Sequence, residues 1–131
     1  MKMNGKYLLD TNIVIALFGK DEHVLKKVKE AQEIYHPAIV IGELYYGALN
    51  STRKLENLQK VDEYRDQVAI LNSDDYTARF YGEVKAALKK KGTPIPENDI
   101  WISAVAIQYD LTLISRDKHF GNIEGLSLER W

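Results

Sequence analysis

The sequence has 131 residues and a mass of 15.0 kDa, the size of one ordinary domain. Its 18 Lys and Arg residues and 19 Asp and Glu residues give a net charge of −1, which argues against a general polyanion binder. The absence of cysteine excludes disulfides, thiolate metal sites and a cysteine nucleophile. Apolar runs are too short for a membrane helix or a signal-peptide core. We therefore expect a soluble, unprocessed cytoplasmic protein with one domain over residues 1–131.

Short apolar runs alternate with amphipathic segments along the chain. In the first half we predict, in order, strand Tyr7–Leu9, helix Thr11–Phe18, helix Asp21–Gln32, strand Ile34–Ile41, helix Gly42–Leu49 and helix Arg53–Asp66. In the second half we predict strand Val68–Leu71, a long helix from Ser73 or Asp74 to about Lys91, helix Glu97–Tyr109, strand Leu111–Ser115 and a short strand at Leu126–Leu128. In the predicted helix Arg53–Asp66, the apolar stripe that faces inward is Leu55, Leu58, Val61 and Tyr64.

This alternation of strands and helices predicts an α/β fold. We expect a central parallel sheet of four to five short strands with helices on both faces. In such sheets, ligands bind at the carboxyl ends of the strands. The polar residues at those ends are therefore the candidates for function.

Four carboxylates are predicted to meet at that edge. Asp10 follows the first strand, Glu43 follows the second, Asp117 follows the fourth, and Asp99 opens a helix. The nearest cation to Asp117 is Arg116, whose side chain points the other way in an extended segment. Carboxylates this close repel or take up protons unless a cation lies among them. Their oxygens favour Mg²⁺ or Mn²⁺, and such a site suits metal-assisted phosphodiester hydrolysis.

Each carboxylate also has an ordinary structural interpretation. Asp99 is placed to stabilise a helix N-terminus, Asp10 and Asp117 suit turns, and Glu43 suits a helix surface. These interpretations are reasonable one at a time, but they do not account for four acids at one edge of a sheet.

Four segments resemble the motifs of PIN domains, in particular the VapC toxins of VapBC-type toxin–antitoxin systems. In chain order, these segments are Leu8–Asn12, Gly42–Ala48, Asn98–Ala104 and Leu113–Phe120. Each motif is weak alone, but all four occur in order and at fitting separations over essentially the whole chain.

The resemblance implies an Mg²⁺- or Mn²⁺-dependent endoribonuclease that acts as a toxin. It assigns Asp10 and Asp99 as the strongest metal ligands, Glu43 as the group that orients or deprotonates water, and Asp117 as the fourth acid. It also matches three supporting positions that form hydrogen bonds around the site. These are Thr11, Asn12 and Ser115.

The resemblance also implies partners. An RNA substrate, a homodimer and a cognate VapB-like antitoxin are expected, and the antitoxin would place a tail in the acidic groove, often with an Arg. Contact with operator DNA would be indirect, through the antitoxin, and no membrane contact is expected.

Other polar and aromatic residues have plainer interpretations. The lysines at 85 and 89–91 are a solvated helix end or, alternatively, a contact for RNA phosphates. Trp101 is expected in the core. His119 lies two residues after Asp117, which leaves an approach to the substrate as an alternative role. His23, His36 and His119 lack metal-ligand spacing, however, and all three are expected to be structural.

Four other functions fit parts of this residue pattern. A PIN nuclease that processes RNA without being a toxin is the main alternative. A non-catalytic regulatory module of the phosphotransfer receiver type needs an acceptor Asp where Asn72 stands, and a haloacid-dehalogenase-like phosphatase needs an Asp where Asn12 stands. The complete acidic set also argues against a fold used for binding alone.

Overall fold

The computed structural model describes residues 5–131, which form a five-stranded sheet with helices packed against it. The strands are β1 (Lys6–Leu9), β2 (Glu33–Pro37), β3 (Ala69–Leu71), β4 (Thr112–Ile114) and β5 (Leu128–Glu129). The helices are α1 (Thr11–Phe18), α2 (Glu22–Glu30), α3 (Ala38–Leu49), α4 (Lys54–Gln67), α5 (Asp75–Lys91) and α6 (Glu97–Gln108), with a 3₁₀ helix at Lys118–Asn122. Within residues 5–131, no helix combines the length and apolar character that crossing a membrane requires.

All strand pairs are parallel, in the order β3-β2-β1-β4-β5, which confirms the predicted fold class. The chain builds outward from β1 through β2 to β3, then returns to the other side of β1 to add β4 and β5. Strands β1 and β4 form the buried centre, where Leu8 pairs with Leu113 and both side chains are fully buried. The order reverses between β1 and β4, and such a reversal leaves a crevice at the carboxyl ends of the two strands.

The predicted strand Ile34–Ile41 is wrong in its second half. Strand β2 ends at Pro37, and α3 begins at Ala38 and absorbs the predicted helix Gly42–Leu49. Pro37 has φ −68° and occupies the N-cap position, where its missing N–H costs nothing because first-turn N–H groups have no intrahelical partner. The apolar run was misleading because it continues from a buried strand into a buried helical turn. Glu43 therefore lies in the second turn of α3 rather than directly after a strand.

The longest helix, α5, has defined signals at both ends. Asp74 accepts a hydrogen bond from the Thr77 backbone N–H at 3.0 Å, and Thr77 Oγ1 accepts one from the Asp74 N–H at 2.9 Å. This capping box confirms Asp74 as the predicted cap. Gly92 ends the helix with φ +74°, a left-handed conformation that glycine adopts without strain.

The predicted inward stripe of α4 is only partly correct. Val61 is buried, but Leu55 is 83% exposed. Leu55 lies in the first turn of the helix, where α4 has not yet reached the core formed with α3.

The last residue of the sequence is packed rather than exposed. The Trp131 ring contacts the Tyr7 ring edge-on, with centroids 5.0 Å apart. Arg116 donates hydrogen bonds to the Trp131 carbonyl and, at 3.0 Å, to Asp21 Oδ2. The Arg116 side chain therefore has partners on α2 and at the end of the chain, away from Asp117, as the sequence indicated.

A buried histidine joins β2 to β3 and α4. His36 is 1% exposed, and its Nδ1–H donates to the Ala69 carbonyl at 3.2 Å while Nε2 accepts from the Tyr64 hydroxyl at 2.5 Å. Burial lowers the pKa of His36 to about 4. This position agrees with the structural role expected for His36.

We predict that His36 makes folding sensitive to acid. Because the folded-state pKa lies below the unfolded value of about 6.5, the stability that neutral His36 contributes is complete above pH 6.5 and is lost as the pH falls toward 4. The free energy of unfolding of the wild type should fall by about 3 kcal/mol relative to His36→Gln over this range. Urea denaturation between pH 4 and 7 measures the difference, with the exposed His23→Gln as control. A difference that does not change with pH would contradict the prediction.

Candidate active site

A cleft of about 570 Å³ lies at the carboxyl ends of β1 and β4. The structure brings all four predicted carboxylates to this one cleft. Its lining comprises Asp10, Thr11, Asn12, Ile15, Glu43, Pro96, Glu97, Asn98, Asp99 and Asp117. The volume is enough for a hydrated ion and a phosphate group, since one water takes about 30 Å³.

Asp10 is the most buried of the four acids, with only 4% of its surface exposed. It is the N-cap of α1, where Oδ1 accepts from the Thr11 N–H at 2.9 Å. Its other oxygen, Oδ2, accepts from Ser115 Oγ at 2.7 Å. The carboxylate is thus fixed by donors from the segments that follow β1 and β4.

The three predicted supporting residues form hydrogen bonds inside this site. Ser115 Oγ also accepts from the Asp117 N–H at 3.0 Å, so one hydroxyl connects two of the acids. Asn12 Oδ1 accepts from the Arg116 N–H at 3.2 Å, which links α1 to the segment after β4. Thr11 Oγ1 donates to Glu43 Oε1 at 2.6 Å, which links α1 to α3. These contacts hold the acidic side chains in fixed relative positions.

Asp99 reaches the cleft from the first turn of α6 and is half-buried there. Its Oδ2 lies 2.7 Å from Nε2 of His119. His119 was expected to be a structural residue, so its presence in the site corrects that interpretation. Its position two residues after Asp117 was the one sequence signal for this role, because the 3₁₀ helix that turns the side chain toward α6 has no clear sequence pattern.

Burial and, to a smaller extent, mutual repulsion raise the pKa values of two acids in the site. Burial raises the pKa of Asp10 to about 6, although the hydrogen bonds from Ser115 and Thr11 oppose this shift. Burial also raises the pKa of Asp99, helped by the negative charges of Glu43 and Asp117 and opposed by His119. Without a cation, the folded state therefore disfavours the form in which Asp10 and Asp99 are both ionised.

No lysine or arginine within residues 5–131 forms an ion pair with any of the four carboxylates. The nearest ion pair at the cleft uses a fifth acid, Glu97, whose Oε1 lies 3.1 Å from Lys85 Nζ. The Tyr81 hydroxyl donates to the same oxygen, and the Tyr81 ring stacks on Trp101 with centroids 4.2 Å apart. Trp101, expected in the core, is half-buried and lines a separate pocket with Ala38, Ile39, Asn72 and Ser73.

The donor set fits a hard divalent cation. One ligand atom each from Asp99, Asp117 and His119 lies within 4.8 Å of the others. Mg²⁺ and Mn²⁺ bind carboxylate oxygens and usually keep several waters, and the open cleft provides space for these. A cation here would also favour the charged forms of Asp10 and Asp99, whose pKa values are raised by burial and by the neighbouring acids.

We predict that Asp10 destabilises the metal-free protein at neutral pH. Its raised pKa means that the folded state binds the proton more tightly than the unfolded state, so stability is lost as the pH rises from about 4 through 6. In chelator at pH 8, Asp10→Asn should increase the free energy of unfolding by about 1–3 kcal/mol, and this gain should vanish below pH 4. Urea denaturation at both pH values measures it. A variant less stable than the wild type at pH 8 would contradict this account.

Comparison with known proteins agrees with this arrangement. The chain is 34% identical to Ribonuclease VapC2 of Haemophilus influenzae over 129 residues, which cover 96% of this chain and 98% of the relative. It is 30% identical to the tRNA(fMet)-specific endonuclease VapC of Salmonella typhimurium, over 96% and 98% of the two chains. Among solved structures, VapBC2 of Rickettsia felis bound to a promoter DNA fragment superposes with a TM-score of 0.89 at 31% identity, over 95% and 98% of the chains.

The sequence as well as the fold matches a known family. The model of the PIN domain matches residues 7–126, which include all four carboxylates of the cleft. The motifs that suggested this family are the segments that surround the cleft in the structure. The chain therefore belongs to the PIN-domain family.

Proposed function

We propose that the protein is a metal-dependent endoribonuclease and the toxin of a toxin–antitoxin pair. The observation that carries the proposal is a cleft where four carboxylates converge and where, among the described residues, none of these four is paired with a lysine or arginine. Such a cluster is unfavourable for stability and is expected where a cation is bound for chemistry. The ribonuclease names of the VapC relatives support RNA as the substrate.

Mg²⁺ or Mn²⁺ would be held chiefly by Asp10, Asp99 and Asp117. When bound, the cation stabilises negative charge that develops on the phosphodiester and makes a water molecule more acidic. The supporting observation is the convergence of these acids on one cleft, with Asp99 and Asp117 in its tightest group of potential ligands.

The remaining polar residues act on the water and on the acids. Glu43, held by Thr11 Oγ1 at 2.6 Å, orients the attacking water and accepts its proton. Ser115 and Asn12 hold Asp10 and the segment that carries Asp117, so the acids keep their separation while charge changes in the site.

The alternative of an RNA-processing PIN nuclease that is not a toxin uses the same chemistry. Relatives named VapC and solved VapBC complexes over nearly the whole chain favour the toxin. The receiver-type alternative has no support, because Asn72 directly follows β3 where an acceptor carboxylate is needed.

We predict that RNA cleavage requires both the cation and the acids. Purified protein should cleave RNA with Mg²⁺ or Mn²⁺ and lose cleavage in chelator. Asp99→Asn and Glu43→Gln should each reduce the rate at least about 100-fold, which corresponds to about 2.7 kcal/mol. Because burial and the neighbouring acids disfavour the charge of Asp99, Asp99→Asn should leave the melting temperature in chelator unchanged or raised.

The exposed Asp75→Asn on α5 is the control and should cleave like the wild type. Cleavage that survives chelation, or that Glu43→Gln retains, would contradict the proposed mechanism. A melting temperature several degrees lower in Asp99→Asn would mean that this carboxylate is mainly structural.

A groove between α1, α3 and α4 offers a place for the antitoxin. It adjoins the acidic cleft, with which it shares Ile15 and Glu43, and Phe18, Gly47 and Val61 also line it. Ile15 is 57% exposed although it is apolar. A partner segment lying here would cover apolar surface while an arginine from it pairs with the carboxylates of the cleft.

We predict that filling this groove weakens the complex. Gly47→Leu adds a side chain at a position where a Cβ meets nothing within 4 Å, so the fold tolerates it while the groove loses space. The Kd for the cognate antitoxin should rise roughly tenfold, about 1.4 kcal/mol. Gly82→Leu, on α5 with an equally open Cβ, is the matched control and should bind normally. Equal affinities in calorimetry would contradict this location.

Two assembly properties belong to the same proposal. We expect a homodimer, to be measured by light scattering of the purified protein. Operator DNA would bind only through the antitoxin, and solved complexes described as VapBC bound to DNA agree with such an assembly. Gel shifts with the toxin alone and with the complex distinguish the two routes. RNA as the substrate also favours the cytoplasm as the site of action.

A further inference from the structure

His119 is the one imidazole that faces the cleft acids among the described residues. Its Nε2 lies 2.7 Å from Asp99 Oδ2, and its ring packs against the Phe120 ring with centroids 4.8 Å apart. Phe120 is fully buried and anchors the 3₁₀ helix that carries both residues. The imidazole is therefore held at the site by a buried neighbour rather than free in solution.

The other two histidines have different surroundings. His36 is buried between β3 and α4, where both ring nitrogens have protein partners. His23 is exposed on α2. Neither lies in the group of potential ligand atoms, which comprises Asp99, Asp117 and His119 within 4.8 Å of one another.

One of these separations is close to that of neighbouring ligands on one ion. Ligand atoms about 2.1 Å from an octahedral cation lie about 3.0 Å apart when adjacent and about 4.2 Å apart when opposite. The Asp99–His119 pair is already near the shorter value. As a ligand, Nε2 would bind through its lone pair, so the hydrogen of the imidazole would lie on Nδ1.

We propose that Nε2 of His119 is a direct nitrogen ligand of the divalent cation, together with Asp99 and Asp117. The inference rests on the proposed metal-dependent function and adds to it a ligand that is not a carboxylate. Imidazole binds first-row transition ions well, whereas Mg²⁺ prefers oxygen ligands. The site therefore favours Mn²⁺ over Mg²⁺ more than a set of carboxylates alone does.

Pulsed electron paramagnetic resonance of the Mn²⁺-loaded protein tests this ligand directly. The wild type should show a ¹⁴N nucleus bound to Mn²⁺, and incorporation of ¹⁵N-histidine should convert the signal to that of ¹⁵N. The nitrogen signal should be absent in His119→Gln and present in the control His23→Gln. Glutamine keeps an amide N–H that can donate to Asp99, so its loss of signal separates ligation from hydrogen bonding alone.

Calorimetry gives a second readout that does not depend on RNA cleavage. In His119→Gln the Kd for Mn²⁺ should rise roughly tenfold, and that for Mg²⁺ should change much less. The ratio of the two constants should therefore shift toward Mg²⁺ in this variant and stay unchanged in His23→Gln.

The outcomes distinguish the two proposals. Mn²⁺ bound in the wild type with oxygen ligands only would overturn ligation by His119 while leaving the metal-dependent nuclease intact. Failure of the wild type to bind Mn²⁺ or Mg²⁺ at millimolar concentration would overturn both. Because isotope labelling uses the wild type, the spectroscopic result stands even if His119→Gln folds poorly.

Discussion

A single buried hydrogen bond, from Ser115 Oγ to Asp10 Oδ2, joins the ends of the two central strands across 105 positions of sequence. It forms where the strand order of the sheet reverses, so its geometry depends on the whole parallel topology. The same hydroxyl accepts from the Asp117 N–H, and Asp10 begins α1 as its N-cap. The contact between Ser115 and Asp10 thus couples the packing of the core, the start of α1 and the spacing of the acids.

The acidic site lowers the stability of the folded protein, which the rest of the molecule provides. A sheet centre that includes the fully buried Leu8 and Leu113 supports an edge where burial raises the pKa of two acids. Such local frustration is typical of residues selected for chemistry rather than for folding. The surrounding hydrogen bonds are what keep the acids in place when no cation offsets their repulsion.

Much of the site could be predicted from sequence because strand ends and helix starts carry clear local signals. Asp10 and Asp117 were placed by the apolar runs before them, and Asp99 by the helix after Pro96. Glu43 was predicted to be near the others through a wrong boundary, because hydrophobic periodicity cannot separate a buried strand from the buried first turn of a helix. His119 was expected to be structural, with an approach to the substrate only as the alternative, because its position depends on a 3₁₀ turn and on packing against the buried Phe120.

The placement of the two tryptophans gives the protein a built-in pair of optical reporters. Trp101 lies two residues after Asp99 on α6, stacked on a tyrosine whose hydroxyl bonds to Glu97 at the rim of the cleft. Trp131 lies against Tyr7 on β1, with its carbonyl held by Arg116. Each ring is packed against a tyrosine in the folded protein, and Trp101 lines a pocket with Ala38, Ile39, Asn72 and Ser73 that is separate from the acidic cleft. Unfolding therefore has two intrinsic fluorescence signals, one from α6 and one from the last residue of the sequence, without any added label.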